Sequence, residues 1–522
     1  DWLESSGWPV TSFMVAANIN MFSWAQELAT RFGNDTTGSA LLGGAAPGTA
    51  DPGKLWSYSQ WQGTSEGDKP RAEPRGRAAP ARQRPQLTVW QLDGHPALAG
   101  EAKTMLTRFS GATGVGVRFV GCSLAGNACR NYGLCPGPAM RDLVTGFLHT
   151  YQRTRQPFGQ IAADFSRAVA PLIADADVIM CSQPLHWCRF LLRLERPMFL
   201  FAGLPVMWSV RDEDQHGWAE DFVGLLASPR HTVIAMGAFM SKTLQWQFGF
   251  KVPAVRVLGL HTGAVYAPLR NTSVLVSRSG TSGGLSECVL QLFAAANRGA
   301  LPLRFVQLEE VIFEEHLRAT GDGALSGHAS WASHLQEIKT PGIPYRLFAQ
   351  HRAVVCMPYD TSIFLFNEFY SMNMPVFVPR DLWRWVTGLS TMPAMEYRYD
   401  GARRPAAAAA ARGPGAPHEE PLGSPFYGAG SNRPMNVRQA VRWVQLSDWA
   451  LLPHLRHFRG IPDLLTQLLD AESLHATAAS MKSFNAEDLV RAVDMWRHVA
   501  LRLAYASRPD ADAGVSAAAA RG

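Results

Sequence analysis

Two acids, Asp360 and Glu368, stand eight residues apart in AVVCMPYDTSIFLFNEFYSMNMPVFV (353–378). The apolar run Ala353 to Met357 reads as a buried parallel strand, the loop 358–362 follows, then an apolar helix, and Pro375 to Val378 opens the next strand. Were both acids helical they would share one broad side about 12 Å apart along the axis. Asp360 fits better in the loop at the helix start, where a carboxylate and free backbone N–H groups face the crevice above the strand ends. That crevice suits a polar, phosphate-bearing ligand, and the hydroxyls and N–H groups of Thr361 and Ser362 could bind the phosphate or simply cap the helix. Three other side chains sit at expected strand ends. His95 follows the first strand in LDGHPAL, with Asp93 near enough in sequence to orient an imidazole; it is a base or a turn residue. His261, in GLHTGAVY, ends the last strand of the first domain and faces the expected cleft. Arg278 and Gly280 follow SVLVS at 273–277, where a guanidinium offers forked donors and never loses its charge, and a surface-loop role is the alternative.

These residues need a scaffold, and the chain alternates apolar strands with helical segments from Leu87 onward. Strands are expected at 87–92, 115–120, 176–182, 197–203, 231–237 and 254–260. Helices are expected at 97–109, 138–153, 161–173, 186–194, 218–226 and 238–248. The pattern restarts with strands at 273–280 and 303–308, helices at 284–298 and 328–339, and a short strand at 344–348. Amphipathic helices are expected at 465–476 and 486–506. Such alternation implies α/β architecture with parallel sheets covered on both faces. Two doubly wound, Rossmann-like parallel-sheet domains, 87–268 and 272–400 with 435–506, would be joined near 267–273 and face each other across a cleft. Residues 1–62 form an aromatic-rich extension and 63–86 a Pro/Arg/Ala linker. Segment 401–434 reads as a disordered insertion and 507–522 as a disordered tail.

The 353–378 stretch resembles the donor-binding segment of GT-B glycosyltransferases of the retaining type: an acid, seven residues, a Glu, and seven positions on a Pro that opens a strand. Asp360, Glu368 and Pro375 hold those places. The resemblance implies a GT-B fold and a nucleotide sugar as co-substrate. It implies that Glu368 contacts the ribose and that the Asp360 loop lies near the sugar and phosphates. It also implies that a last helix can cross back to the first domain. The first acid is normally Glu, and the small residues usual after the second are replaced by Phe369, Tyr370 and Met372. The resemblance implies too that Arg278 meets the diphosphate; the companion Lys usual a few residues later is missing, with Lys339 and Arg346 as alternatives. The Gly94-His95 pair is similar instead to inverting enzymes of the UDP-glycosyltransferase type, whose His is the base. His186 and His261 could touch the transferred sugar. Trp383 and Trp385 could stack on a base or pack in the core.

The chain is expected to transfer a sugar to a glycan, protein or lipid acceptor, without a metal and with no cofactor besides the donor. Asp212-Glu213-Asp214 reads as a solvated turn. The alternatives are a non-catalytic binding or scaffold protein on the same fold, or an epimerase or phosphorylase. The net charge of +6 does not point to nucleic acid: 69–84 holds six basic residues against one acid, leaving the rest near neutral. Cys181, Cys288 and Cys356 read as buried thiols, while Cys122, Cys129 and Cys135 could supply one disulfide. No stretch has the length and apolarity of a membrane span, so an anchor would have to lie before residue 1. Two sequons, at Asn34 and Asn271, slightly favour the secretory pathway.

Overall fold

The computed structural model describes residues 86–109, 114–124, 131–277, 302–308, 310–312, 314–315, 343–357, 363–382, 395, 397–399 and 437–508. The first domain is built on β1 (Gln86–Asp93), β2 (Gly116–Ser123), β3 (Val178–Cys181), β4 (Met198–Ala202), β5 (Thr232–Met236) and β6 (Ala254–Val255). All pairings are parallel, in the order β2-β1-β3-β4-β5-β6. The second uses β7 (Arg270–Ser277), β8 (Arg304–Gln307), β9 (His351–Cys356), β10 (Val376–Pro379) and β11 (Arg456–Phe458), in the order β11-β10-β9-β7-β8, again parallel. Counted from its own first strand, each sheet begins 2-1-3-4-5. Each therefore has a switch point between its first and third strands, where crevices form at the carboxyl ends. Two doubly wound parallel-sheet domains are thus present, the GT-B layout expected from the strand–helix alternation.

The helices follow from their apolar stripes. α1 (Pro96–Arg108) opens on a Pro, whose missing N–H costs nothing at a helix start. α2 (Pro138–Arg153) matches the expected span. α3 (Phe158–Val169) buries Ile161, Ala162, Phe165, Ser166 and Val169, one face at helical spacing. α4 (Gln215–Ala227) and α5 (Gly237–Phe248) complete the first domain. Separate clusters around Trp90 and Leu92 and around Val89 and Phe199 cover the two faces of its sheet.

The second domain adds α6 (Tyr345–Phe348), α7 (Phe364–Ser371), α8 (Val437–Val444), α9 (Asp448–Leu451), α10 (Ile461–Leu469) and α11 (Ala471–Ala506). α11 runs 36 residues without a break, where helices were expected at 465–476 and 486–506; the chain instead breaks at Asp470, between α10 and α11, inside the first of these. Its first half buries Leu474, Met481 and Phe484 in the second domain. Its second half buries Met495, Trp496, Val499 and Leu503 against the first. The crossing-back helix is therefore one rod of about 54 Å.

Three other expectations need correction. Segment 344–348 is a helical turn and not a strand, because Pro344 stands at its N-cap and Tyr345 starts the turn. β6 holds two residues instead of seven: its partner β5 ends at Met236, and α5 begins at Gly237. Cys181 is not a thiol but is bonded to Cys188; Cys135 is also disulfide-bonded, while Cys122 and Cys356 are free and buried. The helices expected at 284–298 and 328–339, the extension, the insertion and all but the first residues of the tail lie outside the described residues, as does the linker up to 85. Among the described residues no helix is long and apolar enough to cross a membrane.

Candidate functional site

The first crevice forms where β1 and β3 end side by side. β1 delivers Asp93, Gly94 and His95; β3 delivers Cys181, then Ser182 and Gln183. The Gly94 N–H donates to the Gln183 carbonyl at 2.7 Å. A Cβ on Gly94 would lie 2.9 Å from the Trp187 ring, so this close approach requires glycine. Parallel register puts Asp93 beside Ser123 of β2, and Leu92 beside Cys181, so Ser182 falls on the other side of Asp93. All three are buried.

This row is polar and poorly satisfied. Asp93 Oδ1 accepts the His95 backbone N–H, and a second backbone N–H comes from Gln183. Burial nevertheless holds its carboxyl well above the usual carboxylate range. Asp93 Oδ2, Ser123 Oγ, Ser182 Oγ, both amide atoms of Gln183 and His95 Nδ1 are enclosed without a partner among the described residues. Buried groups of this kind are satisfied by water or by a bound molecule. Asp93 meets the backbone of His95, so it does not orient the imidazole as expected.

His95 lies at the N-cap of α1, half-buried, with its ring 4.5 Å from that of Phe364 in the second domain. Desolvation pushes its pKa down to about 4; the nearby Glu368 opposes this and His261 adds to it. The imidazole is therefore neutral at pH 7 and carries a lone pair that can accept a proton.

Where the domains meet, a chain of buried polar groups runs from one to the other. His261 stands on a 3-10 turn, Leu260–Thr262, bracketed by Gly259 and Gly263 with φ of 59° and 58°. Its Nδ1 lies 3.2 Å from Glu101 Oε2 on α1, and its Nε2 lies 2.9 Å from Glu368 Oε1 on α7. Desolvation lowers its pKa, but hydrogen bonds and the charges of both carboxylates outweigh it and raise the value to about 9. At neutral pH the ring is an imidazolium donating to both. Glu101 also accepts the backbone N–H groups of Leu258 and Gly259 at 2.7 and 3.1 Å. Tyr345 donates to Glu368 Oε1 at 2.8 Å, and Tyr132 of the first domain lies 3.3 Å from the Tyr345 hydroxyl. Tyr345 is already the donor to Glu368, so Tyr132 donates to Tyr345.

The structure thus brings His95, His261 and Glu368 to one inter-domain region. His261 has both ring nitrogens engaged, and Glu368 is occupied by His261 and Tyr345. His186 sits apart, inside the first domain beside the Tyr151 ring at 5.5 Å, with burial pushing its pKa down to about 3. Asp212–Asp214 form an exposed 3-10 turn whose Asp214 pairs with Arg211 at 2.6 Å. Among the described residues no group of three or more His, Cys, Asp or Glu could hold a metal ion. Arg346 is exposed on α6. Arg278, Gly280, Asp360, Thr361 and Ser362, like Lys339, Trp383 and Trp385, lie outside the described residues. β7 ends one residue before Arg278, and β9 ends four before Asp360. The N-cap of α7 is Ile363, one position past Ser362.

Glu101, Tyr132 and Tyr345 were not foreseen. Glu101 had a readable signal: Leu98, Glu101 and Met105 share one helix face, which sets a carboxylate in an apolar stripe.

No family model matches the chain, and no curated protein matches it. Solved structures resemble it distantly. The glycosyltransferase VinC in complex with dTDP is 11% identical, with 81% of this chain and 99% of that chain covered at a TM-score of 0.36. The glycosyltransferase SnogD from Streptomyces nogalater is 13% identical, over 78% and 96%, at 0.35. The UDP-GlcNAc 2-epimerase from Methanocaldococcus jannaschii is 9% identical, over 57% and 84%, at 0.30. The fold class rests on the strand order and crossing helix described above, not on these neighbours.

Proposed function

We propose that this chain is a glycosyltransferase that moves a sugar from a nucleotide sugar to a hydroxyl-bearing acceptor. The first domain takes the acceptor and the second the donor. One observation carries this reading: at the switch point of the first sheet, facing the second domain, a neutral imidazole adjoins a row of buried polar atoms without partners. A neutral His95 can take the proton of an acceptor hydroxyl as its oxygen bonds to the anomeric carbon. The bond from that carbon to the diphosphate breaks, and the nucleoside diphosphate leaves with the electron pair. Such a single displacement inverts the anomeric centre, so His95 favours inversion over the retention expected from the acid pair. On this reading the segments after β7 and β9, with Arg278, Gly280, Asp360, Thr361 and Ser362, meet the donor's phosphates and sugar. The Cys181–Cys188 disulfide supports an oxidising, secretory compartment.

A second reading, a binding protein without turnover, is favoured by the engagement of Glu368 with His261 and Tyr345. Comparing His95→Ala with wild type separates the two. Loss of about 10²- to 10⁴-fold in transfer at unchanged folding supports the base. Equal turnover removes His95 from the chemistry. Donor binding with no turnover in wild type supports the binding protein.

A further inference from the structure

The connection between the domains carries a histidine buried between two carboxylates. We propose that His261 is the pin of an inter-domain clasp: held between Glu101 of the first domain and Glu368 of the second, it fixes how closely the domains approach and how α7 sits against His95.

Four observations support the clasp. First, His261 lies on the connection itself. The turn at 260–262 leads into Tyr266 and Ala267, whose N–H groups donate to Met372 and Ala349 of the second domain at 2.8 and 2.9 Å. Two glycines in the left-handed region flank the turn, a conformation that other residues adopt at a cost. Second, the two carboxylates belong to different domains, and each is tied into its own. Glu101 holds the N–H groups of Leu258 and Gly259; Glu368 holds the Tyr345 hydroxyl. Third, the site is dry: the side chains of Glu101 and His261 are wholly buried and that of Glu368 nearly so. An imidazolium between two carboxylates in such a place is attracted to both, and its loss leaves two buried anions facing each other. Fourth, Phe364, one helical turn before Glu368, packs on His95. Moving Glu368 away from His261 moves the first turn of α7 away from that ring.

Among the described residues the titratable groups around His261 are few. Glu101 comes from α1, Glu368 from α7 and Tyr345 from α6, with its ring 6.1 Å away. Tyr132 meets the imidazole edge-on at 5.3 Å, and His95 approaches from the β1–α1 loop. The two tyrosines and the neutral His95 carry no charge at pH 7, so the two glutamates hold the proton on His261. The clasp opens when that proton leaves.

The clasp deepens the His95 reading but is measured without catalysis. The full chain is compared with His261→Gln and Glu101→Gln by hydrogen exchange at pH 7. Selectively labelled wild type is titrated by histidine NMR. Peptides over 258–267 and 363–372 should exchange at least ten-fold faster in both variants, with β3 to β5 unchanged, and His261 should titrate above pH 8. Unchanged exchange at the junction, acceleration spread evenly over the first sheet, or titration of His261 near 6.5 would each overturn the clasp. If His261→Gln does not fold, Glu101→Gln and the wild-type titration decide the matter alone. A chain with an intact clasp and no transfer activity refutes the transferase and leaves the clasp standing. An active chain with an unmoved junction does the reverse.

Discussion

Removing Asp488 should loosen the union of the two domains. Arg256 follows β6 in the first domain and is fully buried. Its Nη1 lies 3.0 Å from Asp488 Oδ2, its Nη2 2.5 Å from Asn485 Oδ1, and its guanidinium 4.8 and 5.3 Å from the rings of Tyr370 and Phe484. Asp488 is equally buried, midway along α11, at the point where that helix passes from one domain to the other. Asp488→Ala leaves a cation in a dry site with one neutral acceptor and two ring faces. Breaking a buried pair in this way costs about 3–5 kcal/mol. The rings hold the cation in wild type and variant alike and so cancel in the difference, and a cost of at least about 3 kcal/mol, the lower end of that range, is expected. With a urea slope of about 3 kcal/mol/M the midpoint should fall by about 1 M, followed by tryptophan fluorescence. The double replacement Arg256→Met with Asp488→Leu removes the buried pair and leaves only Arg491, 3.5 Å from Asp488 and one-third exposed, to be solvated; it should therefore cost less than the single change, because replacing a buried pair by apolar groups is often near neutral. A single Asp488→Ala change costing under about 1 kcal/mol, or a double variant worse than the single, would refute the reasoning.

Further outcomes follow from the same geometry. His261 has its pKa raised from 6.5 to about 9, so its contribution is complete below pH 6.5 and is lost as pH rises through about 9. At about 1.4 kcal/mol per unit this amounts to about 3 kcal/mol, and the stability gap between wild type and His261→Gln in urea should shrink by that order from about pH 6 to about pH 9.5, since the buried neutral histidines such as His95 and His186 titrate alike in both. Gly259→Ala should cost about 1–3 kcal/mol, because φ is 59° and the added Cβ would lie 3.0 Å from that of Ser371 and 3.3 Å from the Glu368 Cα; a neutral melting curve would contradict this. Cys181→Ser with Cys188→Ser should cost about 2 kcal/mol for the short loop it closes, read as a Tm below that of the oxidised wild type; an unchanged Tm would contradict this.

Much of the scaffold was legible because parallel strands buried on both faces are continuous apolar runs. MFLFA in β4 and VFV in β10 cannot be mistaken for exposed structure. The failures have physical causes. YRLF is apolar enough for a strand, but a preceding Pro and an adjoining strand partner at 351 leave room for one helical turn. Within α11, Ser483 and Asn485 weaken helix propensity, which burial of Met481, Phe484 and Asp488 on one stripe overrides. His95 and His261 were visible, since each follows an apolar run, although His261 stands on a 3-10 turn that begins five residues past the end of β6 and not at a strand end. Their surroundings were not. Glu101 is 160 residues from His261, and Arg256 is 232 from Asp488, so only the packing of distant segments reveals these pairs. An acid within an apolar helix face was the available sign for both Glu101 and Asp488. The disulfide escaped notice because Cys181 ends an apolar strand, where a thiol is equally at home.

The proposed transfer requires the inter-domain region to receive a nucleotide sugar. The direct measurement is a thermal-shift panel of UDP-, GDP- and dTDP-sugars on the full chain, followed by transfer to water or added acceptors. A true donor at about 100 times its Kd should add about 2.7 kcal/mol and raise Tm, and His95→Ala should keep that shift while losing turnover. A well-folded chain that no nucleotide sugar stabilises at millimolar concentration would contradict the account.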